Sequence, residues 1–468
     1  MGGFFGVTAT DDCVNDLFFG TDYHSHLGTM RGGLATKNSG GIVRFIHNIT
    51  NTPFRSKFEE DISKMHGNRG IGVISDKDDQ PLIIRSHLGT FAIVTVGVIQ
   101  NIEEIVQKTF AERRAYMSEM SGAAASPTEV TAMLISQEAT FTDGLAAAQE
   151  AIDGSCSILL LTDEGIYASR DRYGRTPVIL GKKDGAWAAT METCAFPNLG
   201  FSYERDLGPG EIVLMTEDGV EQKKPPNKEM KICAFLWVYY GYPASHYEGI
   251  NVEKVRYRCG AALAKRENPD VHVDMVCGIP DSGTGHAIGY AQESKIPYGR
   301  PYVKYTPTWP RSFMPQDQTI RDMVAKMKLI QVPDLIEGKS LLFCEDSIVR
   351  GTQLQDTVQR LYEGGAEEIH MRPACPPLVH GCRFLNFSTS KSELDLAGRR
   401  ALAELEGTAE EVPPEYSDPD TRQYQEMVEK VRDRLKLTTL TYQRLDDLVE
   451  AIGLPREKVC TYCWDKQG

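Results

Sequence analysis

The chain has 468 residues, 51 of them basic and 65 acidic, for a formal net charge of −14. At roughly 150 residues per domain this suggests two large domains or three ordinary ones. A 41% hydrophobic and 25% charged composition is that of a globular protein with ample core material. The acidic surplus argues against a broad nucleic-acid or membrane-surface footprint, yet leaves room for a small anion pocket built from main-chain N–H groups. No apolar run approaches the roughly 20 residues that span a bilayer, and no charged-then-apolar leader opens the chain, so a cytoplasmic protein is expected. Gly6 also stands where a myristoylation signal carries Ser or Thr. The eleven cysteines are odd in number and scattered, which suits reduced thiols and makes any clustered ones metal candidates.

Residues 1–225 read as strand-rich, with short β-branched, turn-bounded segments at Gly154–Thr162, Gly165–Ala168 and Ile212–Met215. Helical patterns interrupt them at Ile102–Met117 and at Thr128–Ile135, the latter opened by Ser126-Pro127. The mixture predicts packed sheets with helices outside. The Lys223–Asn227 stretch, Lys-Lys-Pro-Pro-Asn, marks a domain boundary. Beyond it apolar strands alternate with helical patterns: a strand at Val271–Val276, a helix at Gly285–Gln292, a strand at Ser340–Cys344 and a helix at Thr352–Tyr362. In the last, Leu354, Val358 and Leu361 share one face. Such alternation predicts a parallel sheet. Residues about 389–435 are charged and helical, broken by Val412-Pro413-Pro414 and Ser417-Asp418-Pro419, and read as a solvated surface insertion.

The sharpest local signal is the apolar strand Leu341–Cys344 running into Glu345-Asp346, then Ser347-Ile348-Val349-Arg350-Gly351, then a helix opened by Thr352. Paired carboxylates at the carboxyl end of a parallel strand sit where open α/β sheets bind ligands. Their hard oxygens suit ribose hydroxyls and help hold Mg²⁺. The loop delivers the ligand to a helix N-terminus, whose free N–H groups and dipole favour a phosphate. A second strand-to-helix loop, Ile279-Pro280-Asp281-Ser282-Gly283, could cradle another anion such as pyrophosphate, although a Gly-containing turn alone is a weak signal.

The Glu345–Thr352 segment resembles the phosphoribosyl pyrophosphate (PRPP) motif of type I phosphoribosyltransferases. Together with Ile279–Gly283, the stretch Ala168–Pro177 and the carboxy-terminal Leu448–Leu454, it is similar to the glutamine PRPP amidotransferase (amidophosphoribosyltransferase) family over nearly the whole chain. The resemblance implies an α+β Ntn-hydrolase-like αββα sandwich over residues 1–225. It implies an α/β phosphoribosyltransferase domain with a parallel sheet over residues 226–468, ending in a cluster-binding segment. By that likeness the family releases ammonia from glutamine in the first domain and joins it to C1 of PRPP in the second, the first step of purine synthesis. Glu345 and Asp346 would hold the ribose and Mg²⁺. Ser347, Ile348, Val349, Arg350, Gly351 and Thr352 would cradle the 5′-phosphate, and Asp281, Ser282 and Gly283 would face pyrophosphate. Lys304 and Arg311, in a segment resembling the family's closing loop, join Arg350 as candidate charge partners during catalysis. The likeness also implies a homo-oligomer, a dimer or tetramer.

Measured against that family, the glutaminase positions are altered. Gly2 stands in place of the nucleophilic cysteine, which would use its own α-amine as base. Val96 replaces the oxyanion-hole amide, worth about 3–4 kcal/mol of transition-state stabilisation. Ser75 replaces the arginine for the glutamine carboxylate, and Pro127 the aspartate for its amine. Leu27 likewise stands where the family has an arginine used in feedback binding, and Leu236 where it has an acidic residue. The expectation is a scaffold without glutamine hydrolysis, fed by free ammonia or by a partner glutaminase.

Cys460-Thr461-Tyr462-Cys463 is a C-x-x-C whose spacing alone fits zinc, redox chemistry or neither. With Cys233 and Cys382 it supplies four thiolates, enough for zinc or a [4Fe–4S] cluster. The resemblance to the iron–sulfur branch of the family favours the cluster. Cys13, Cys156, Cys194, Cys259, Cys277, Cys344 and Cys375 read as small buried hydrophobes. Two functions stand after this reading: ammonia-dependent phosphoribosyl transfer, or a non-catalytic PRPP- or nucleotide-sensing pseudoenzyme that regulates a partner or paralogue.

Overall fold

The computed structural model describes residues 2–111, 120–121, 124–305, 329–385, 392–408 and 411–468. Its first part stacks two antiparallel sheets. The seven-stranded sheet runs in the order Ser202–Asp206, Ile179–Lys183, Ala186–Thr190, Gly3–Ala9, Arg69–Ser75, Arg31–Asn38, Gly41–Asn48. The six-stranded sheet runs Val220–Lys224, Ile212–Met215, Ile166–Ser169, Gly154–Leu161, Gly89–Ile99, Leu82–Ser86. The period-2 alternation of strand side chains builds the layers. In Gly3–Ala9, Phe4 faces the second sheet and joins Val73, Val94 and Leu159, while Phe5 and Val7 face the opposite way toward the helix Val14–Asp22. Helices Ile102–Ala111, Pro127–Ile135 and Phe141–Ala151 cover the outer face of the second sheet. This is the expected αββα layering.

The second part is built on a five-stranded parallel sheet in the order Tyr298–Gly299, Met275–Gly278, Ser340–Glu345, Glu368–Pro373, Thr439–Leu440. The helices Gly283–Ser294 and Thr352–Glu363 follow its second and third strands. On the latter helix Val358 and Leu361 are fully buried and Leu354 packs at the margin of the same core. Two expectations shift at their edges. The strand expected at Val271–Val276 spans Met275–Gly278, because Val271 N–H bonds back to Asn268 in a turn. The helix expected at Ile102–Met117 covers Ile102–Ala111, and residues 112–119 lie outside the described set.

The insertion departs further from expectation, since it is packed rather than solvated. Helices Ala397–Glu406 and Arg422–Leu435 bury Ala401, Leu402, Met427, Val431 and Leu435 in the core of the parallel-sheet domain. Apart from the buried Arg399, the high charge of these helices lies mostly on their outward faces, and an apolar stripe at helical spacing runs beneath it.

The two parts share buried polar contacts. Arg170, fully buried, donates to Glu248 at 2.7 Å as well as to the Thr176 and Gly174 carbonyls. Glu192, 1% exposed, accepts from Ser245 Oγ at 2.7 Å, Tyr247 Oη at 2.8 Å and Tyr242 N–H at 3.2 Å, and pairs with His26 at 3.1 Å.

Candidate active site

The strands Met275–Gly278 and Ser340–Glu345 lie side by side, with Gly278 opposite Cys344. Their carboxyl ends therefore deliver Ile279–Gly283 and Asp346–Gly351 to one place. Ile279 N–H bonds the Cys344 carbonyl at 3.1 Å. A Cβ on Gly283 would lie 2.3 Å from that same oxygen, so only glycine lets the two loops approach this closely. Glu345 and Asp346 stand at the junction. Ser347 Oγ donates to Asp346 at 2.6 Å, and Ser282 hydrogen bonds Glu345. Burial and the neighbouring Asp346 charge push the Glu345 carboxyl well above the usual range. A like-charged pair, Asp346 buried and Glu345 half-buried, is the arrangement that a bound cation, or hydrogen bonds accepted from ligand hydroxyls, relieves.

Gly351 opens the helix Thr352–Glu363 at φ 77°, the left-handed region where glycine carries little cost. No side chain caps the first helical N–H groups, the kind of helix start that can receive an anion. Lys304, in the short strand Tyr302–Lys304, pairs with Asp281 at 2.5 Å, so a lysine and the second loop are already joined. Arg311 falls outside the described residues.

The packed insertion reaches the 347–352 loop directly, which the sequence reading missed. Ala397 N–H donates to the Val349 carbonyl at 2.7 Å, and Arg400 to the Arg350 carbonyl at 2.8 Å. Asp395 faces the Arg350 guanidinium at 4.0 Å. The apolar stripe Leu396, Ala397, Ala401, Leu402 was the available signal.

In the front part, Gly2 lies against the end of the strand Arg69–Ser75. A Cβ there would sit 2.3 Å from the Ile74 carbonyl oxygen and 3.4 Å from Ser75 Cα. Ser75 is buried, its Oγ accepting from Lys77 N–H at 3.2 Å. Val96 is buried between the sheets. Pro127 begins the helix Pro127–Ile135, whose N-terminus is occupied by a side chain of the protein itself. Asp78 Oδ2 accepts from Ser126 Oγ, Thr128 N–H and Thr128 Oγ1 at 3.1, 3.2 and 3.1 Å. Gln80 then locks the segment by exchanging two bonds with the Thr95 main chain, at 2.7 and 3.2 Å. The loop 75–80 thus ties Ser75 to residues flanking Val96 and Pro127. Asp78 and Gln80 carried no motif in the sequence that would have marked them.

A family model described as a glutamine amidotransferase domain matches residues 68–196. Amidophosphoribosyltransferase of Mycobacterium leprae is 30% identical over 99% of this chain and 81% of its own length. The chain belongs to the amidophosphoribosyltransferase family. The Mycobacterium tuberculosis relative is 36% identical over 67% of this chain, a match spanning 55% of that relative's length. Among solved structures, glutamine PRPP amidotransferase of B. subtilis, complexed with ADP and GMP, superposes with a TM-score of 0.83 at 27% identity, covering 99% of this chain and 96% of that one. No described helix is long and apolar enough to cross a membrane.

As in the sequence expectation for this family member, Cys233, Cys382, Cys460 and Cys463 converge. The parallel pairing of Ile232–Cys233 with Val459–Cys460 sets Cys233 beside Cys460. All four thiols line one small cavity, walled by Phe235, Phe384, Leu385 and Trp464. Among the described residues no three Cys, His, Asp or Glu side chains surround a single point closely enough for one metal ion. The donor set is all sulfur and apolar-walled, with Cys233, Cys460 and Cys463 buried and Cys382 partly so, a chemistry that suits zinc or an iron–sulfur group. The other seven cysteines are buried.

Proposed function

We propose that this chain binds PRPP with Mg²⁺ and transfers its phosphoribosyl group to ammonia, giving 5-phosphoribosylamine and pyrophosphate, without hydrolysing glutamine itself. The observation that carries the reading is the meeting of two loops at adjacent parallel strands: the Glu345-Asp346 pair with its helix mouth, and the Asp281–Gly283 turn. Glu345 and Asp346 hold the ribose hydroxyls. The 347–352 loop binds the 5′-phosphate through main-chain N–H groups, and Asp281–Gly283 orients the pyrophosphate. The ammonia lone pair forms the new bond to C1 while the C1–O bond to pyrophosphate breaks, its electrons leaving on that oxygen; the nitrogen then sheds one proton. Lys304, released from Asp281 as the donor enters, and Arg350 offset the charge building on the phosphates. Bound Mg²⁺ supplies further charge neutralisation on the pyrophosphate, and two carboxylates completed by substrate oxygens are its usual holding set.

The cluster reading assigns Cys233, Cys382, Cys460 and Cys463 to a [4Fe–4S] group that clamps the carboxy-terminal segment to the strand leaving the front domain. The front domain, residues 1–225, serves as scaffold. A nucleophile's Cβ has no room at position 2, where the Ile74 carbonyl oxygen stands in its way.

Mixing the intact protein with PRPP, Mg²⁺ and either ammonium or glutamine, and measuring pyrophosphate, tests this. Product with ammonium alone is expected. Glutamate release from glutamine would overturn the scaffold assignment, and PRPP binding without pyrophosphate would favour the sensing pseudoenzyme.

A further inference from the structure

Among the described residues five arginines are buried: Arg170, Arg175, Arg256, Arg372 and Arg399. A buried guanidinium needs a counter-charge, because desolvation without one costs several kcal/mol or more. Arg170 has Glu248, Arg372 has Glu267, and Arg399 has Glu393, at 2.7, 2.6 and 3.0 Å. Arg256 faces the Glu253 and Asp346 charges and donates to three main-chain carbonyls. Arg175, only 4% exposed, has no carboxylate partner among the described residues. Its Nε has no hydrogen-bond partner, and one Nη1 contact reaches the Gly154 carbonyl at 3.3 Å.

What surrounds the guanidinium instead is aromatic and sulfur. It stacks on the Phe384 ring at 3.8 Å and on Tyr173 at 4.6 Å, and it lines the cavity of Cys233, Cys382, Cys460 and Cys463. It hydrogen bonds the Cys460 sulfur. Its own carbonyl accepts from Cys233 N–H at 3.2 Å, fixing the backbone at the cavity wall. The cation comes from the front domain, while all four thiols come from the rest of the chain.

We propose that Arg175 is the counter-cation of the four-thiolate site, a front-domain residue that sets the potential of the bound cluster and its retention. This rests on the cluster reading above. A cluster held by four thiolates carries net negative charge, and it becomes more negative on reduction. A buried cation beside one sulfur therefore favours the reduced form and raises the reduction potential, as net charge and hydrogen bonds to sulfur do generally. The same placement ties cluster retention to correct docking of the front domain, a structural task for a domain with no assigned chemistry of its own.

The test uses the full chain purified without oxygen, as wild type, Arg175→Gln and Arg175→Lys. Iron and acid-labile sulfide are counted, the midpoint potential is titrated, and loss of cluster absorbance in air is timed. Arg175→Gln is expected to lower the reduced-to-oxidised ratio at fixed potential at least tenfold, about 59 mV for a one-electron couple, and to shed its cluster several-fold faster. Arg175→Lys, which keeps the charge, should recover most of the potential. An iron-loaded Gln variant indistinguishable from wild type overturns this inference alone. If Arg175→Gln does not fold, a Lys variant displaced by the full tenfold ratio overturns it, and one near wild type supports it. Wild-type protein without iron or sulfide overturns the cluster reading, and this inference with it.

Discussion

Gly283→Ala tests whether the two loops must touch. The added Cβ would lie 2.3 Å from the Cys344 carbonyl oxygen, 3.2 Å from its carbon and 3.3 Å from Glu345 Cα. Ordinary contact begins near 3.4 Å, so the shortfall against the oxygen is about 1.1 Å. The obstructing atom is main chain in a central strand and cannot swing aside. Relief requires the start of the helix Gly283–Ser294 to move, which strains the Ile279 N–H bond to the same oxygen. Overpacking of this kind costs about 1–3 kcal/mol, and losing the hydrogen bond adds about 1 kcal/mol, for a total of about 2–4 kcal/mol in unfolding free energy. A 1 Å displacement of the pyrophosphate loop relative to Glu345-Asp346 should lower ammonia-dependent kcat/KM by on the order of 10²-fold. Urea denaturation and pyrophosphate release measure the two effects. Gly219→Ala, whose Cβ would meet nothing within 4 Å, is the control and should sit near wild type. A Gly283→Ala protein within about 0.5 kcal/mol of wild type and with unchanged kcat/KM would refute the claim that close approach of these loops makes the site.

Gly2→Cys should release no glutamate from glutamine and should lower stability by about 1–3 kcal/mol, because its Cβ meets the Ile74 carbonyl; a coupled glutamate assay and a melting curve read both. Arg170→Met leaves Glu248 and three carbonyls without their donor and should cost about 3–5 kcal/mol, read by denaturant unfolding. Glu192 carries a pH signature. Burial pushes its carboxyl up, but His26, the Ser245 hydrogen bond and His24 outweigh that and hold it down to about 2, against an ordinary 4.5. Because the folded-state value is the lower one, the contribution is present above pH about 5 and is lost as pH falls toward 2. It amounts to about 3 kcal/mol, and Glu192→Gln should flatten that acid limb in unfolding measured across pH. Arg400→Ala removes the donor to the Arg350 carbonyl and should raise the KM for PRPP more than it lowers kcat, since that contact shapes the phosphate loop in free and bound protein alike.

What was legible in advance was what local pattern encodes. The acidic pair, the small-residue loop and the helix that follows are contiguous in the chain, so strand, turn and helix start could be read from Leu341 to Thr352 without knowing any neighbour. Cys460 and Cys463 stood out by their C-x-x-C spacing, whereas Cys233 and Cys382 were picked out of eleven cysteines only by likeness to the family. The charge of residues 389–435 misled, because a count of acids and bases is blind to which face of a helix they occupy.

The sequence by itself determined the elements and the chemistry each could offer: a strand, loop and helix start suited to phosphate, and a set of thiols able to ligate. Only the tertiary structure decided how those pieces meet. It set Gly283 against Cys344, laid Asp395, Ala397 and Arg400 on the 347–352 loop, bonded Asp78 to Ser126 and Gln80 to Thr95, and buried Arg175 beside sulfurs more than 50 residues distant in the chain. The physical reason is that these relations depend on close packing and on the desolvation of charge. Both are properties of the distance between groups remote in the chain, which no local pattern carries.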